Sequence, residues 1–436
     1  MRIILFFVFV TASTAACVKG NPESQGDDEF TDTGGTLAIE GCSYSVTTRL
    51  GAEPPRNASL TVGDDPTPRL VHLGIMGDPK TSIVAQWRTV DETTRATKIR
   101  FAAGASLTAD QLTEEATGIE FGYKATGSII YRMHQAHLCG LTAGTTYSYQ
   151  VGSDGHFSPV YSFRTAPDVV ANPDAEVLFG VVGDSRDGYD IWSQLVTQLE
   201  QRSPDLILFT GDAVTIGLTQ FEWEEFFGRA ESLFARVPMI FAHGNHEVNA
   251  VAYYSQIALP GDQENFGFDY GHAHITVAND TPDDIGAITG AYRDAIATDF
   301  EASKDARWSV FMHHQPIFSA ATAHGSSLFL QQNWQPLVDQ YSIDLVIAGH
   351  DHDFEVSKPM IGQAPQVSNA NATVYVVVGG AGAELYDSDT LFHTAYSEKT
   401  HSASTLRVRR DLLELEGFRP DGTAIAAPGA RFSKTK

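Results

Sequence analysis

Residues 177–186 read VLFGVVGDSR, an apolar, β-branched run that stops at a glycine and releases Asp184, Ser185 and Arg186. A run of this length, closed by turn residues, predicts a strand buried on both faces, and open α/β sheets place their functional groups just beyond such strand ends. The same grammar recurs downstream in LILFTGDAVT at 206–215, MIFAHGNHE at 239–247, WSVFMHHQP at 308–316 and LVIAGHDH at 345–352. Between these runs, residues 191–201 and 221–234 carry apolar side chains at three- and four-residue intervals, which predicts helices. Apolar strands alternating with helices predict a layered α/β domain, with further strands at 374–378, 405–409 and 413–418.

Upstream the pattern changes. Alternating or β-branched runs at 81–89, 97–102, 129–138 and 145–151, separated by turn residues, predict a β-sandwich, to which 37–62 adds one or two edge strands. The 167–173 segment, containing Asn172-Pro173, marks the boundary. Met1 and Arg2 precede an apolar run, Ile3 to Val10, and small residues through Ala16, the pattern of an export signal too short to span a bilayer. Thr14-Ala15-Ala16-Cys17 is similar to a bacterial lipobox with Thr at the usual Leu position, so the alternatives are a lipid on Cys17 of a cell-envelope lipoprotein or ordinary cleavage near Ala15 or Ala16 of a secreted protein. Both imply export. Cys42 and Cys139 then remain for one disulfide in an oxidising compartment, the alternative being two separate buried thiols. The expected division is a signal peptide over 1–16, a flexible polar tether over 17–45, an all-β sandwich over 46–168 and an α/β domain over 174–425.

With 436 residues the chain has room for two or three domains, and 42% hydrophobic with 19% charged residues excludes wholesale disorder and collagen-like repetition. Lys plus Arg number 29 against 54 Asp plus Glu, a formal net charge of -25, which disfavours a nucleic-acid scaffold as partner. An anionic phosphate would meet the same repulsion. Phosphate chemistry here therefore needs a local positive centre such as metal ions.

The donors at the five strand ends are carboxylates, an amide oxygen and imidazoles, a set that suits iron, manganese or zinc and offers no thiolate. Singly, each has a structural reading: Gly-Asp after a strand is a common turn or cap, and a histidine beside an apolar strand is often a hydrogen-bonded core residue. Gly-Asn-His-Glu and Gly-His-x-His are the more specific members, and all five in order point to a site for two metal ions.

With these motifs the chain resembles the calcineurin-like metallophosphoesterases, and in particular purple acid phosphatases with a fibronectin type III-like domain in front, over about residues 68–425. Residues 71–73, 82–87, 137–138, 147–152 and 162–165 carry the resemblance through that front domain. It implies a layered α/β/β/α catalytic sandwich preceded by an all-β sandwich. It implies further that Asp184 binds a first metal, that Asp212 bridges both, that Asn245 and His350 bind the second, and that His352 returns to the first. For the fourth cluster, His313 fits the family's spacing from Val310, while His314 fits a His-x-Pro pattern with Pro316; the second fit is preferred because the loop then reads without a gap.

Two positions depart from the family pattern. Where purple acid phosphatases carry the tyrosine that ligates ferric iron and gives the colour, this chain has Thr215, so no purple colour is expected. Two residues beyond Asp184, where relatives carry glycine or a ligand histidine, stands Arg186, which is cationic and suits a bidentate hold on a phosphate oxygen. Its alternative is a surface salt bridge. His246 falls where the family places a group near the leaving oxygen, and Glu247 is either a modulator of a nearby imidazole or a capping carboxylate. The expectation is an exported, acid phosphatase-like hydrolase of small phosphomonoesters. A hydroxide held at two metal ions attacks phosphorus, Arg186 steadies the equatorial oxygens and His246 protonates the departing alcohol. The alternatives are a phosphodiesterase or nucleotidase on the same core, or a cell-surface binding protein with a degenerate metal domain.

Overall fold

The computed structural model describes residues 35–48, 63–91, 94, 96–124 and 129–436. The expected signal peptide, Cys17 and the tether up to residue 34 lie outside the described residues. The strand-end segments derive from two sheets. Strands Val177–Val182, Leu206–Phe209 and Met239–Phe241 run parallel in a ten-stranded sheet, while Ala273–Val277, Trp308–Met312, Leu345–Ala348 and Val374–Val378 run parallel in a seven-stranded one.

Alternation along the second sheet explains the layering. Val310 and Met312, Leu345 and Ile347, Val374 and Val376 face the main core, where Tyr270 meets Phe179 of the first sheet edge-on at 5.5 Å. Phe311, Val346 and Tyr375 face the other way, into a smaller core with Phe300, Trp334 and Val338 from the helices Ala291–Ala302 and Gln335–Tyr341 and the residue between helices, Trp334. The first sheet's outer face is covered by Tyr189–Arg202 and Gln220–Phe234. On these helices Trp192, Leu195, Val196 and Leu199, and Trp223, Phe226, Phe227, Ala230 and Leu233, recur at helical spacing and are buried. Each such large side chain contributes roughly 1.5–3 kcal/mol by leaving water. The result is the α/β/β/α order expected from the sequence.

The front sandwich is not a separate bead. Its strands Arg69–Gly74, Ser82–Thr89, Ile130–Cys139 and Ile119–Lys124 continue the ten-stranded sheet, entered where Gly74 pairs with Met239. Lys98–Ala103, Glu114–Thr117, Thr146–Ser153, His156–Phe157 and Tyr161–Arg164 form its second sheet. The polar face of the helix Gln220–Phe234 clamps the junction: Tyr123 donates to Gln220 (2.6 Å), the Leu70 N–H to Glu231 (2.9 Å), and Arg69 pairs with Glu224 (2.8 Å).

Residues 35–45, expected as the end of a flexible tether, are folded. Gly35–Ala38 pairs with Ser45–Thr48, and the turn between them carries Cys42, disulfide-bonded to Cys139 with 5.4 Å between Cα atoms. Tyr44 closes the attachment by a 2.9 Å bond to His137 Nδ1. The α/β domain likewise runs past residue 425, because Arg431–Thr435 pairs with Leu412–Phe418 and Lys434 buries its ammonium 2.8 Å from Asp344.

Candidate metal centre

Each strand-end loop is bent by its own local rule. Asp184, Asp212 and His350 sit at φ +60°, +56° and +67°, a left-handed conformation that costs on the order of 1–2 kcal/mol for a residue with a Cβ. Surrounding hydrogen bonds hold these turns. The Asp184 N–H donates to the Gly211 carbonyl (2.9 Å), and the His350 N–H donates to both carboxylate oxygens of Asp184 (3.1 and 3.0 Å), so a loop of one sheet is tied to a loop of the other. Two glycines permit the approach. A Cβ on Gly349 would lie 2.4 Å from Asp184 Oδ2, and one on Gly244 would lie 2.3 Å from Asp212 Oδ1.

Glu247 hydrogen-bonds to backbone groups and acts on His314 only through its charge. Fully buried, it accepts from the backbone N–H groups of Asp212 (2.9 Å), Ala213 (2.9 Å) and Gly244 (2.8 Å), joining the second and third loops. Burial first, then the neighbouring Asp212 charge, raises its pKa to about 7.

On one side of Asp212, acceptor atoms converge. His314 Nδ1 donates to the Thr210 carbonyl (2.7 Å), which leaves Nε2 as a lone pair. That lone pair faces Asn245 Oδ1 at 3.1 Å, His350 Nδ1 at 3.2 Å and Asp212 Oδ1 at 3.3 Å. One donor atom each from Asp212, His314 and His350 lies within 4.8 Å of the others. Such a gathering of lone pairs and negative charge, largely out of water, is unfavourable without a proton or cation between them. Burial pushes His314 down, but Asp212 and Asp184 more than reverse this, and against it Asp212 falls below the usual carboxylate range although burial alone would raise it. His350 stays neutral, lowered to about 2 by burial and by His314 beside it.

The other side is looser. His352 Nδ1 donates to the Glu384 carbonyl (2.7 Å), and its free Nε2 lies 3.6 Å from Asp184 Oδ1. The Arg186 Nη2 donor is 3.4 Å from the same Nε2, its Nη1 is 3.1 Å from Asp187, and its Nε is 3.8 Å from Asp212 Oδ2. Arg186 therefore lies inside the cluster and not on the surface. Burial raises Asp184 well above its ordinary value, and burial with Arg186 nearby lowers His352 to about 4. His246 Nδ1 donates to the Thr215 carbonyl (2.6 Å), presenting Nε2 at 3.8 Å from Asp212 Oδ2, the same distance as Arg186 on the opposite flank.

The structure thus brings Asp184, Arg186, Asp212, Asn245, His246, His314, His350 and His352 to one cleft. His313 is elsewhere: its ring packs on Phe311 and Trp334, and its Nδ1 is 3.1 Å from Asp280. Two further residues stand at the cleft that no motif signalled. The His324 ring lies 4.4 Å from that of His350, and Tyr386 stacks on His352 at 4.2 Å with its hydroxyl 3.5 Å from His324. Only the glycine-rich run at 379–382 before Tyr386 hinted at a close approach.

Residues 177–354 match the calcineurin-like phosphoesterase family, and residues 68–165 match the purple acid phosphatase N-terminal domain. An uncharacterised protein of Mycobacterium tuberculosis is 23% identical over 382 residues, covering 74% of this chain and 71% of its own. Purple acid phosphatase 21 of Arabidopsis thaliana is 22% identical over 361 residues, 78% of each chain. The solved structure of a purple acid phosphatase from yellow lupin seeds superposes with a TM-score of 0.74 at 16% identity, covering 85% of this chain and 74% of that one.

Proposed function

We propose that this chain, which carries a calcineurin-like phosphoesterase domain behind a purple acid phosphatase N-terminal domain, is an exported, dinuclear metal-dependent phosphatase acting on small phosphomonoesters. The observation that carries this reading is the convergence of Asn245 Oδ1, His350 Nδ1 and Asp212 Oδ1 within 3.1–3.3 Å of His314 Nε2. Asp212, Asn245, His314 and His350 would hold one ion, and Asp184, His352 and the second oxygen of Asp212 the other. Iron, zinc or manganese there would supply Lewis acidity and an activated water.

The chain's own residues do the rest. Arg186 and His246 each reach 3.8 Å from Asp212 Oδ2, so a phosphoryl group bound at this oxygen would have a cation and an imidazole beside it. Arg186 holds equatorial oxygens as negative charge develops. When the P–O ester bond breaks, the electron pair stays on the departing oxygen, and a proton on His246 Nε2 moves to it. The Thr215 carbonyl keeps that ring oriented by accepting from Nδ1. Export is supported by the leader pattern of residues 1–16 and by the Cys42–Cys139 disulfide.

Purified protein supplied in turn with manganese, iron or zinc is assayed on 4-nitrophenyl phosphate and on the matching bis-ester. The reading requires turnover of the monoester in preference to the diester, and loss of about 10²-fold or more in kcat for His246→Ala on a leaving group of high pKa. Absence of turnover with every metal sinks it, and diester preference replaces it with the phosphodiesterase alternative.

A further inference from the structure

Beside Asn245 a cavity of about 530 Å³ opens next to the metal centre. Its walls are apolar: Val248, Ile285, Ile288, Phe329 and Leu330. Val248 and Ile285 are 44% and 66% exposed, unusual for side chains that gain by burial. The charged groups are of one sign. Among its lining residues there is no lysine or arginine, while Asp280 and Asp283 both contribute.

Asp280 is the informative one. It is 3% exposed, and its Oδ2 accepts from the Gln315 N–H (2.6 Å) and stands 3.1 Å from His313 Nδ1. Its Oδ1 is buried without a partner. That oxygen is itself shielded from solvent, so Asp280 acts on the cavity through the negative charge it places behind the wall. Asp283 is held at the same cavity by the Asn249 amide, which donates to its Oδ1 at 3.0 Å and also to the Thr281 carbonyl at 3.2 Å.

We propose that this cavity seats the alcohol portion of the substrate, and that it selects phosphomonoesters whose alcohol has an apolar, ring-sized body and a cationic or N–H donor group, while rejecting alcohols that carry further anionic groups. The proposal rests on the hydrolase reading above and names its substrate class. The apolar walls take the body of the alcohol. Asp283 takes its donor or positive end with the Asp280 charge behind the wall, and an added carboxylate or phosphate would meet two carboxylates with no lysine or arginine beside them.

Three aryl phosphates with similar leaving-group acidity test this: O-phosphotyramine, 4-ethylphenyl phosphate and 3-(4-phosphonooxyphenyl)propanoate, differing only in a remote ammonium, no charge or a carboxylate. The expected order of kcat/KM is ammonium, neutral, carboxylate, spanning about tenfold or more from first to last. The whole-molecule charge of -25 would favour the same order anywhere on the surface, so locality is tested with Asp283→Lys, which barely alters that total. This exposed substitution reverses the order if the cavity holds the alcohol. Equal rates for the three esters, or an order that survives Asp283→Lys, overturn the proposal and leave the hydrolase reading intact. Should none of the esters turn over, the hydrolase reading falls instead, and calorimetry with free tyramine decides the cavity: binding that Asp283→Lys abolishes upholds its selectivity, and no binding ends it.

Discussion

Asp212 divides the metal centre into two unlike halves. On one flank, Asn245, His314 and His350 bring acceptor atoms to within 3.1–3.3 Å of His314 Nε2. On the other, His352 and Asp184 stand 3.6 Å apart, and the Arg186 guanidinium lies against the lone pair that a cation would need. The first flank is arranged to take one cation, while the second already contains the Arg186 guanidinium. An ion entering beside Asp184 has to displace Arg186 from His352, at the cost of a charge-assisted hydrogen bond and against like-charge repulsion. The same displacement frees the guanidinium to reach a phosphate. On the dinuclear reading, therefore, the two ions bind with different strengths, and the weaker one is coupled to substrate through Arg186.

The shared carboxylate is the first place to break this comparison. Asp212→Ala removes a ligand from both flanks and is expected to lower kcat by about 10³-fold or more, with neither ion retained after dialysis. Activity that persists with one ion bound would mean that a single flank suffices. The two imidazoles of the Gly349 loop separate the flanks more finely. His350→Ala is expected to remove the tightly bound ion. His352→Ala is expected to leave it in place and to weaken only the second, by about 10–100-fold in a chelator competition. Equal losses from both variants would contradict the asymmetry.

The asymmetry also marks where sequence reading succeeds. Five apolar runs ending in donor residues, four of them through a Gly, are local features: strand, turn and ligand sit within ten residues, so each could be read without knowing its neighbours. The two helices and a layered α/β domain were legible for the same reason, since the three- and four-residue spacing at 191–201 and 221–234 is written in one segment, whereas the α/β/β/α order came from the family resemblance. What escaped is what depends on segments that meet only in space. The Gly74–Met239 pairing joins strands more than 160 residues apart and turns an expected separate sandwich into part of one sheet. Glu247 offered an acid next to a histidine; that it binds three N–H groups of two loops depends on the 212 and 244 turns coming together. His324 and Tyr386 carry no motif and reach the cleft from long loops. Arg186 was legible as a departure from a family pattern, but its contact with His352 spans 166 positions.

Arg186→His sharpens the comparison from the weaker side. It removes the donor lying against His352 Nε2 and adds a neutral imidazole near Asp184. The second ion is expected to tighten by about tenfold, measured by chelator competition, while KM for a monoester rises by a similar factor because a phosphate donor is lost. Arg186→Ala separates the two effects, since it frees His352 without supplying a ligand. If neither variant tightens the ion, Arg186 is not what loosens that flank.

The smallest expected effect concerns how the tight flank is braced. Glu247 Oε2 accepts from Asp212 and Gly244 and Oε1 from Ala213, so both oxygens are committed. Glu247→Gln keeps the shape but points an amide NH₂ at a backbone N–H. At least one buried donor then loses its acceptor, at a cost of about 1–3 kcal/mol, seen as a lower midpoint in urea unfolding of the metal-free protein. Gly244 and Asp212 open the turns that carry Asn245 and the Asp212 carboxylate, whereas the His352 ring is held separately by the Glu384 carbonyl. Affinity for the tight ion is therefore expected to fall several-fold with little change in the weak one. A loss of stability with both affinities unaltered would show that Glu247 supports the fold without setting the geometry of the flank it joins.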